Sequence, residues 1–422
     1  MATASIVSIG NELLSGLTVD TNAAWLSERL MTAGIATMSN YTVGDDIDKI
    51  TQAISRASQD GDIVLITGGL GPTDDDITRD GLAKHLGVEL KFKEELLAEI
   101  LAFFTKRNRV MAEKNRVQAY LPKGTEPIRN NIGTAPGVLA EREGKLYACM
   151  PGVPIEMKRM FDEAVFDRIK HVAERQAGRK VVVSRKLRCF GAGESDVAEM
   201  IGDIMRRDRN PLVNCTVHGA ILTLHIIATA ESFEQAQEMI KGDEKHLRSI
   251  LGGLVFGSDY QTLEEVVGRR LRENGLTLST AESCTGGLIG KMLTDIPGSS
   301  EFFKIGWITY TNQAKSSELG VDFELIQQYG AVSEQVALAM ARGAQAKSGS
   351  DIAVGVSGIA GPGGGTEEKP VGLVYIAAVF DDKTGIVKAG EQVLCKVFSH
   401  SRDYIRTSAA LTALNMIRCG IK

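Results

Sequence analysis

The chain has 422 residues, 43% of them hydrophobic and 24% charged, with a formal net charge of -5 at pH 7. That balance excludes wholesale disorder and predicts about three domains at roughly 150 residues each. The pI near 5.8 and the 5% aromatic content argue against a broad polyanion-binding or base-stacking surface, so direct nucleic-acid contact is not expected.

The opening stretch, MATASIVSIGNELL, has neither a basic leader nor an apolar core, and no later run approaches about 18 apolar residues. No membrane association is expected. Cys149, Cys189, Cys215, Cys284, Cys395 and Cys419 are scattered without C-x-x-C spacing. Reduced thiols in a cytoplasmic protein are the reading, with no zinc site or disulfide frame. In chain order, SIVSIG reads as a strand, TNAAWLSERLMTAG as a helix, DIDKITQAISRASQDG as a second helix and DIVLITGG as a fully apolar strand. Apolar strands alternating with helices imply a doubly wound α/β sheet covered on both faces. Residues about 85 to 120 read as a long polar helical pair. Two Pro/Gly-rich loops then flank the strand KLYACM.

Near residue 175 the pattern changes to a β-α-β-α unit, with strands RKVVVSRKLRCFG and GAILTLHIIATA and the helix GESDVAEMIGDIMRRD. Its Arg206, Arg207 and Arg209 read as a solvated helix end rather than a nucleic-acid contact. The α/β rhythm returns from LEEVVGRRLRENG and closes on the helix SRDYIRTSAALTALNMIR. The expected fold class is α/β, with two three-layer α/β domains, 1–170 and 256–422, joined by a small α+β domain, 171–255.

Chemistry concentrates at strand ends. Ser283 lies in TAESCTGG, where a strand meets a helix and open α/β sheets bind ligands. It reads as a nucleophile or as a helix N-cap. Cys284 is a weaker rival, with no histidine nearby in sequence to activate it. Thr285, Gly286 and Gly287 bring backbone donors toward a phosphate or an oxyanion. Lys315 could serve as base if burial keeps it neutral, and otherwise would face solvent. Tyr310 precedes it by five residues. A second glycine loop begins at Ser357 and Gly358. Arg402 and Arg406 lie four apart, either as a phosphate clamp or as surface charge.

These segments, together with WITYTNQAKSSELGV, GAVSEQVALAMA and SGIAGPGGGTEEKPVGLVYIA, resemble the nicotinamide mononucleotide deamidase domain of the CinA family over about 262–420. The resemblance implies hydrolysis of nicotinamide mononucleotide to nicotinate mononucleotide and ammonia, without a metal. Ser283 would be the nucleophile, Lys315 the base and Tyr310 a supporting polar group. Ser357 stands where the family usually has threonine. His400 and Ser401 replace the glycine and acidic positions of the late arginine motif.

In the N-terminal third, Gly68, Gly69 and Gly71 form a phosphate-approach loop followed by Asp74, Asp75 and Asp76. Carboxylates beside a phosphate site call for a divalent cation, or else mark an acidic helix start. Glu12, Asp20 and Asn22 lie near the first strand end, and Asp45 and Glu156 are further candidates. GNELLSGLTVDTNAAWLSERL, GGLGPTDDDIT, GTAPG and PGVPIEM resemble the molybdopterin-binding-like domain of full-length CinA proteins. The resemblance implies metal-dependent cleavage of ADP-ribose to AMP and ribose 5-phosphate, with Asp75, Asp76, Glu12 and Asp20 as metal ligands. FGAGESDVAEMI is similar to the family's KH-like connector but lacks a G-x-x-G nucleic-acid loop, so a spacer or dimerisation role is expected, and with it a homodimer. The alternatives are a competence-related or DNA-damage-related scaffold and a molybdopterin-binding module.

Overall fold

The computed structural model describes residues 2–175, 181–381, 385–387 and 390–421. Two compact units are formed, Met1–Ser184 with Ile227–Lys241, and Arg185–Ile226 with Gly242–Lys422. The fold is mixed α/β with several sheets.

The first unit is built on β1 (Thr3–Ile9), β2 (Ala36–Val43), β3 (Ile63–Thr67), β4 (Leu90–Phe92), β5 (Tyr120–Pro122), β6 (Glu126–Ile128), β7 (Gly137–Arg142) and β8 (Lys145–Met150). Six of these make one sheet in the order β2-β1-β3-β8-β7-β6, and β4 pairs with β5 separately. β1 runs parallel to both β2 and β3, and β7 reverses against β8. Every residue of β3 is buried. The pleat sends Ile63 and Leu65 to one core and Val64 and Ile66 to the other, which is what a strand covered on both faces requires.

One expectation is corrected here. The segment 113–119 is a short 3-10 turn rather than a second long helix, and the chain then enters β5. The Asn115 amide bonds the Gln118 side chain at 3.1 Å, and Pro122 cannot continue a helix.

β9 (Val181–Cys189), β10 (Leu212–His218), β11 (Ile221–Ala230) and β12 (Val255–Ser258) form a four-stranded sheet in the order β10-β11-β9-β12. The strand expected from Arg179 begins outside the described residues, as does Lys180. The helix expected through Asp208 stops at Ile201, because Gly202 takes a left-handed φ of 48° and starts a 3-10 turn. Arg209 forks onto Asp243 at 2.7 and 2.9 Å, and Arg206 pairs with Asp208. Both arginines lie beyond the α-helix rather than at its end, and each is paired with a carboxylate.

β13 (Leu278–Glu282), β14 (Phe303–Ile308), β15 (Ile352–Gly358), β16 (Leu373–Phe380) and β17 (Gly390–Val397) form a sheet in the order β14-β13-β15-β16-β17. β13 is parallel to β14 and β15, while β16 and β17 are antiparallel. Leu278, Val354, Val356 and Ile376 enter the core that includes residues of the helices Leu263–Glu273 and Arg402–Gly420. The opposite face takes the helix Glu334–Ser348, which lies so close that a Cβ at Gly355 would sit 2.3 Å from Ala337 O. No helix is long and apolar enough to cross a membrane among the described residues.

Candidate functional site

The carboxyl ends of β13 and β14 bring the reactive groups of the second unit together. Ser283 follows the last residue of β13, and its N–H bonds Val356 O on β15 at 3.0 Å. Strand pairing therefore fixes where the hydroxyl starts. Thr311 caps the helix Asn312–Leu319 through its side chain, and that helix turns Lys315 inward. Lys315 is only 1% exposed. Its Nζ donates to Ser283 Oγ at 3.0 Å and to Thr309 O at 2.9 Å. Burial pushes the amine below the ordinary lysine range, opposed by the neighbouring Cys284. In a neutral Lys315 the same contact can reverse, with the Ser283 hydroxyl donating to the Nζ lone pair, which is the condition for general-base activation. Cys284 is a poor rival, because burial pushes its thiol up to about 11.

Other predicted residues frame this pair. Gly286 and Gly287 adopt left-handed φ values of 60° and 89°, and a Cβ on Gly287 would meet Ile308 Cδ1 at 2.9 Å. The Gly286 N–H turns back to Ser283 O, so it is spent on the turn. Thr285 is fully buried and its hydroxyl has no hydrogen-bond partner. Ser357 Oγ donates to Ala331 O at 2.6 Å, which commits that hydroxyl to the backbone. Gly358 leaves no room for a side chain, since its Cβ would lie 2.8 Å from Leu373 O.

Arg402 and Arg406 of the closing helix both bond to neighbouring loops. Arg406 Nε and Nη2 donate to Cys284 O and Thr285 O at 3.2 and 2.8 Å. Arg402 Nη1 donates to Gly361 O at 2.6 Å and its Nη2 to the Tyr310 hydroxyl at 3.0 Å. Both guanidinium groups thus tie glycine loops to the closing helix. Glu282 is missing from the sequence reading. It is 1% exposed, and its carboxylate accepts from Ile289 N and Gly290 N at 3.1 and 2.9 Å. Thr309 is missing too, because its part is played by a backbone carbonyl.

In the first unit, Gly68, Gly69 and Gly71 line a cleft of about 440 Å³ together with Glu12, Asp20, Asp45, Asp75, Asp76 and Glu156. Gly68 takes a φ of 104°, and a Cβ there would sit 2.1 Å from Ile9 O. Buried Arg79, which sequence reading passed over, holds the loop through Leu70 O at 2.7 Å and Gly71 O at 3.1 Å. Asn22 donates to Thr67 Oγ1 and Gly152 O. Several carboxylates already have local tasks. Asp76 accepts from Thr73 N and Oγ1 at 2.8 and 2.5 Å. Asp20 caps the helix Thr21–Thr32, and Asp45 accepts from Asn11 N. Among the described residues, no three His, Cys, Asp or Glu side chains converge as a metal cage. The four expected ligands therefore share a cleft without fitting a divalent ion as they stand.

Residues 260–420 match the family model described as "CinA C-terminal domain", 5–171 the "Probable molybdopterin binding domain" and 184–257 the "Damage-inducible protein CinA KH domain". A Symbiobacterium thermophilum protein named for competence-damage induction is 42% identical over 98% of each chain. A CinA-like protein of Kosmotoga olearia is 40% identical, again over 98% of each. A crystal structure of the competence/damage inducible protein CihA from Agrobacterium tumefaciens is 43% identical, covering 38% of this chain and 97% of that one, with a TM-score of 0.35.

Proposed function

The chain belongs to the CinA family, and from that starting point we propose that its C-terminal unit is an amidohydrolase acting on nicotinamide mononucleotide. The observation that carries this reading is the buried Lys315 amine 3.0 Å from the Ser283 hydroxyl. Neutral Lys315 takes the serine proton as Oγ attacks the carboxamide carbon. The resulting ammonium passes a proton to the leaving nitrogen, so ammonia departs and a nicotinoyl ester remains on Ser283. Water, deprotonated by the same amine, then cleaves the ester, and the ammonium returns that proton to Ser283 Oγ as nicotinate mononucleotide leaves. No metal is needed in these steps.

The pH profile tests the base. Activity requires the unprotonated amine, so kcat/KM should fall about tenfold per pH unit below the Lys315 pKa. Because burial depresses that pKa, the acid limb should lie below the free-lysine value of about 10.4. Lys315→Arg should be inactive at every pH, since a guanidinium cannot be deprotonated in a protein. A limb centred near the free-lysine value, or an active arginine variant, would refute the neutral-amine base.

A second reading applies to residues 1–170: water-dependent cleavage of ADP-ribose to AMP and ribose 5-phosphate. What supports it is the six-carboxylate cleft beside the glycine loop. Asp75→Ala should cut ADP-ribose cleavage at least tenfold and spare ammonia release. Asp76→Ala should do the same while also loosening the Thr73 turn. We place this chemistry in the cytoplasm and in a homodimer, both open to direct test by fractionation and sedimentation.

A further inference from the structure

Next to the acidic cleft lies a second one of about 370 Å³ with the opposite charge. Lys106, Arg107 and Arg129 line it against a single carboxylate, Glu99, with the Asn130 and Asn131 amides among the lining groups. The acidic cleft has six carboxylates in its lining and no lysine or arginine. Two adjoining clefts of opposite sign are hard to account for as random surface charge.

The wall between them is one ordered turn. Thr134 lines both clefts. Asn130 Oδ1 accepts from Ile132 N and Gly133 N at 3.2 and 2.8 Å. Its Nδ2 donates to Glu156 Oε2 at 2.6 Å and to Ala135 O at 3.1 Å, and Glu156 belongs to the acidic lining. A Cβ at Gly133 would lie 2.3 Å from the same Glu156 oxygen. The partition is therefore held from both sides. On the basic side, Arg107 lies 3.6 Å from the Phe103 ring centroid, where stacking orients its planar fork. Arg129 reaches Glu99 at 3.1 Å, an exposed pair that a stronger anion can replace at little cost.

We propose that this basic cleft is a phosphate-binding subsite serving the acidic cleft beside it. This rests on the reading of the first unit as a phosphoanhydride hydrolase. A phosphorylated ligand entering six carboxylates is repelled by like charge. Guanidinium and ammonium groups across a shared wall attract its anionic end and leave the rest of the ligand over the glycine loop.

The test uses the full-length protein and inorganic pyrophosphate, titrated calorimetrically in the presence of a chelator. Wild type should bind at one site that weakens with added salt. Arg107→Gln with Arg129→Gln should weaken binding about tenfold or more, because each removes a charge-assisted contact. Both side chains are on the surface, so an unchanged unfolding midpoint will separate lost binding from lost folding. Asp75→Asn should bind pyrophosphate as tightly as wild type or more tightly, since it removes like charge. In ADP-ribose cleavage, the double variant should raise KM far more than it lowers kcat. The proposal is overturned if wild type does not bind pyrophosphate, if the double variant binds equally well, or if Asp75→Asn abolishes binding. Pyrophosphate binding that depends on the two arginines in a protein that cleaves no ADP-ribose would uphold the anion subsite while refuting the hydrolase reading.

Discussion

Ser283→Ala and Lys315→Ala should each lower ammonia release from nicotinamide mononucleotide by at least about 10³-fold, and the double variant should be little worse than either single one. Residues that act as one unit are not additive, because removing either member stops the same proton transfer. Retention of more than a tenth of wild-type kcat in either single variant would break the dyad. Lys315→Met adds a readout that a merely structural role would not give. The amine is buried and its folded-state pKa is depressed. Between that value and the unfolded value of about 10.4, the unfolded chain binds more protons, so native stability rises with pH across the window. Below the window, the buried amine weakens the fold. Lys315→Met should therefore raise the unfolding midpoint at neutral pH, by about 2–4 °C per kcal/mol gained, while abolishing turnover. The gain should shrink as the pH approaches 10. A destabilised methionine variant would show that the amine serves packing rather than chemistry.

Glu282→Ala should have the largest effect on stability of any single change near the site. It leaves two backbone N–H groups, of Ile289 and Gly290, without their acceptor in a buried setting. Each orphaned donor costs roughly 1–3 kcal/mol, so a loss of about 2–6 kcal/mol is expected in denaturant titration. Glu282→Gln keeps one acceptor oxygen and should fall between. Turnover should drop with both variants, since the helix start they loosen follows directly from the Ser283 turn. Wild-type stability in Glu282→Ala would mean that water takes over both donors.

Strand ends and glycine turns were legible in the sequence because they rest on local rules. Fully apolar β3 and the left-handed positions at Gly68, Gly286 and Gly287 follow from residue type and spacing. Ser283 was legible for the same reason, as the last turn before a helix. Lys315 was legible as a candidate but not as a buried group, because its direction depends on the Thr311 cap and on a Thr309 carbonyl contributed by the strand end. Arg402 and Arg406 were seen as a pair, but their partners lie 41 to 122 residues away, beyond the reach of any spacing rule. Glu282 was passed over since a glutamate ending an apolar strand carries no local sign that it will accept from the next helix. The helix expected near 113 failed because polar periodicity alone does not outweigh an Asn–Gln side-chain bond and a following proline.

The closing helix, Arg402–Gly420, reaches back through two guanidinium groups to the loops after β13 and β15. Two side chains of one helix, far along the chain from the hydroxyl and the amine, thus fix the loop backbone around the site in which both groups are set.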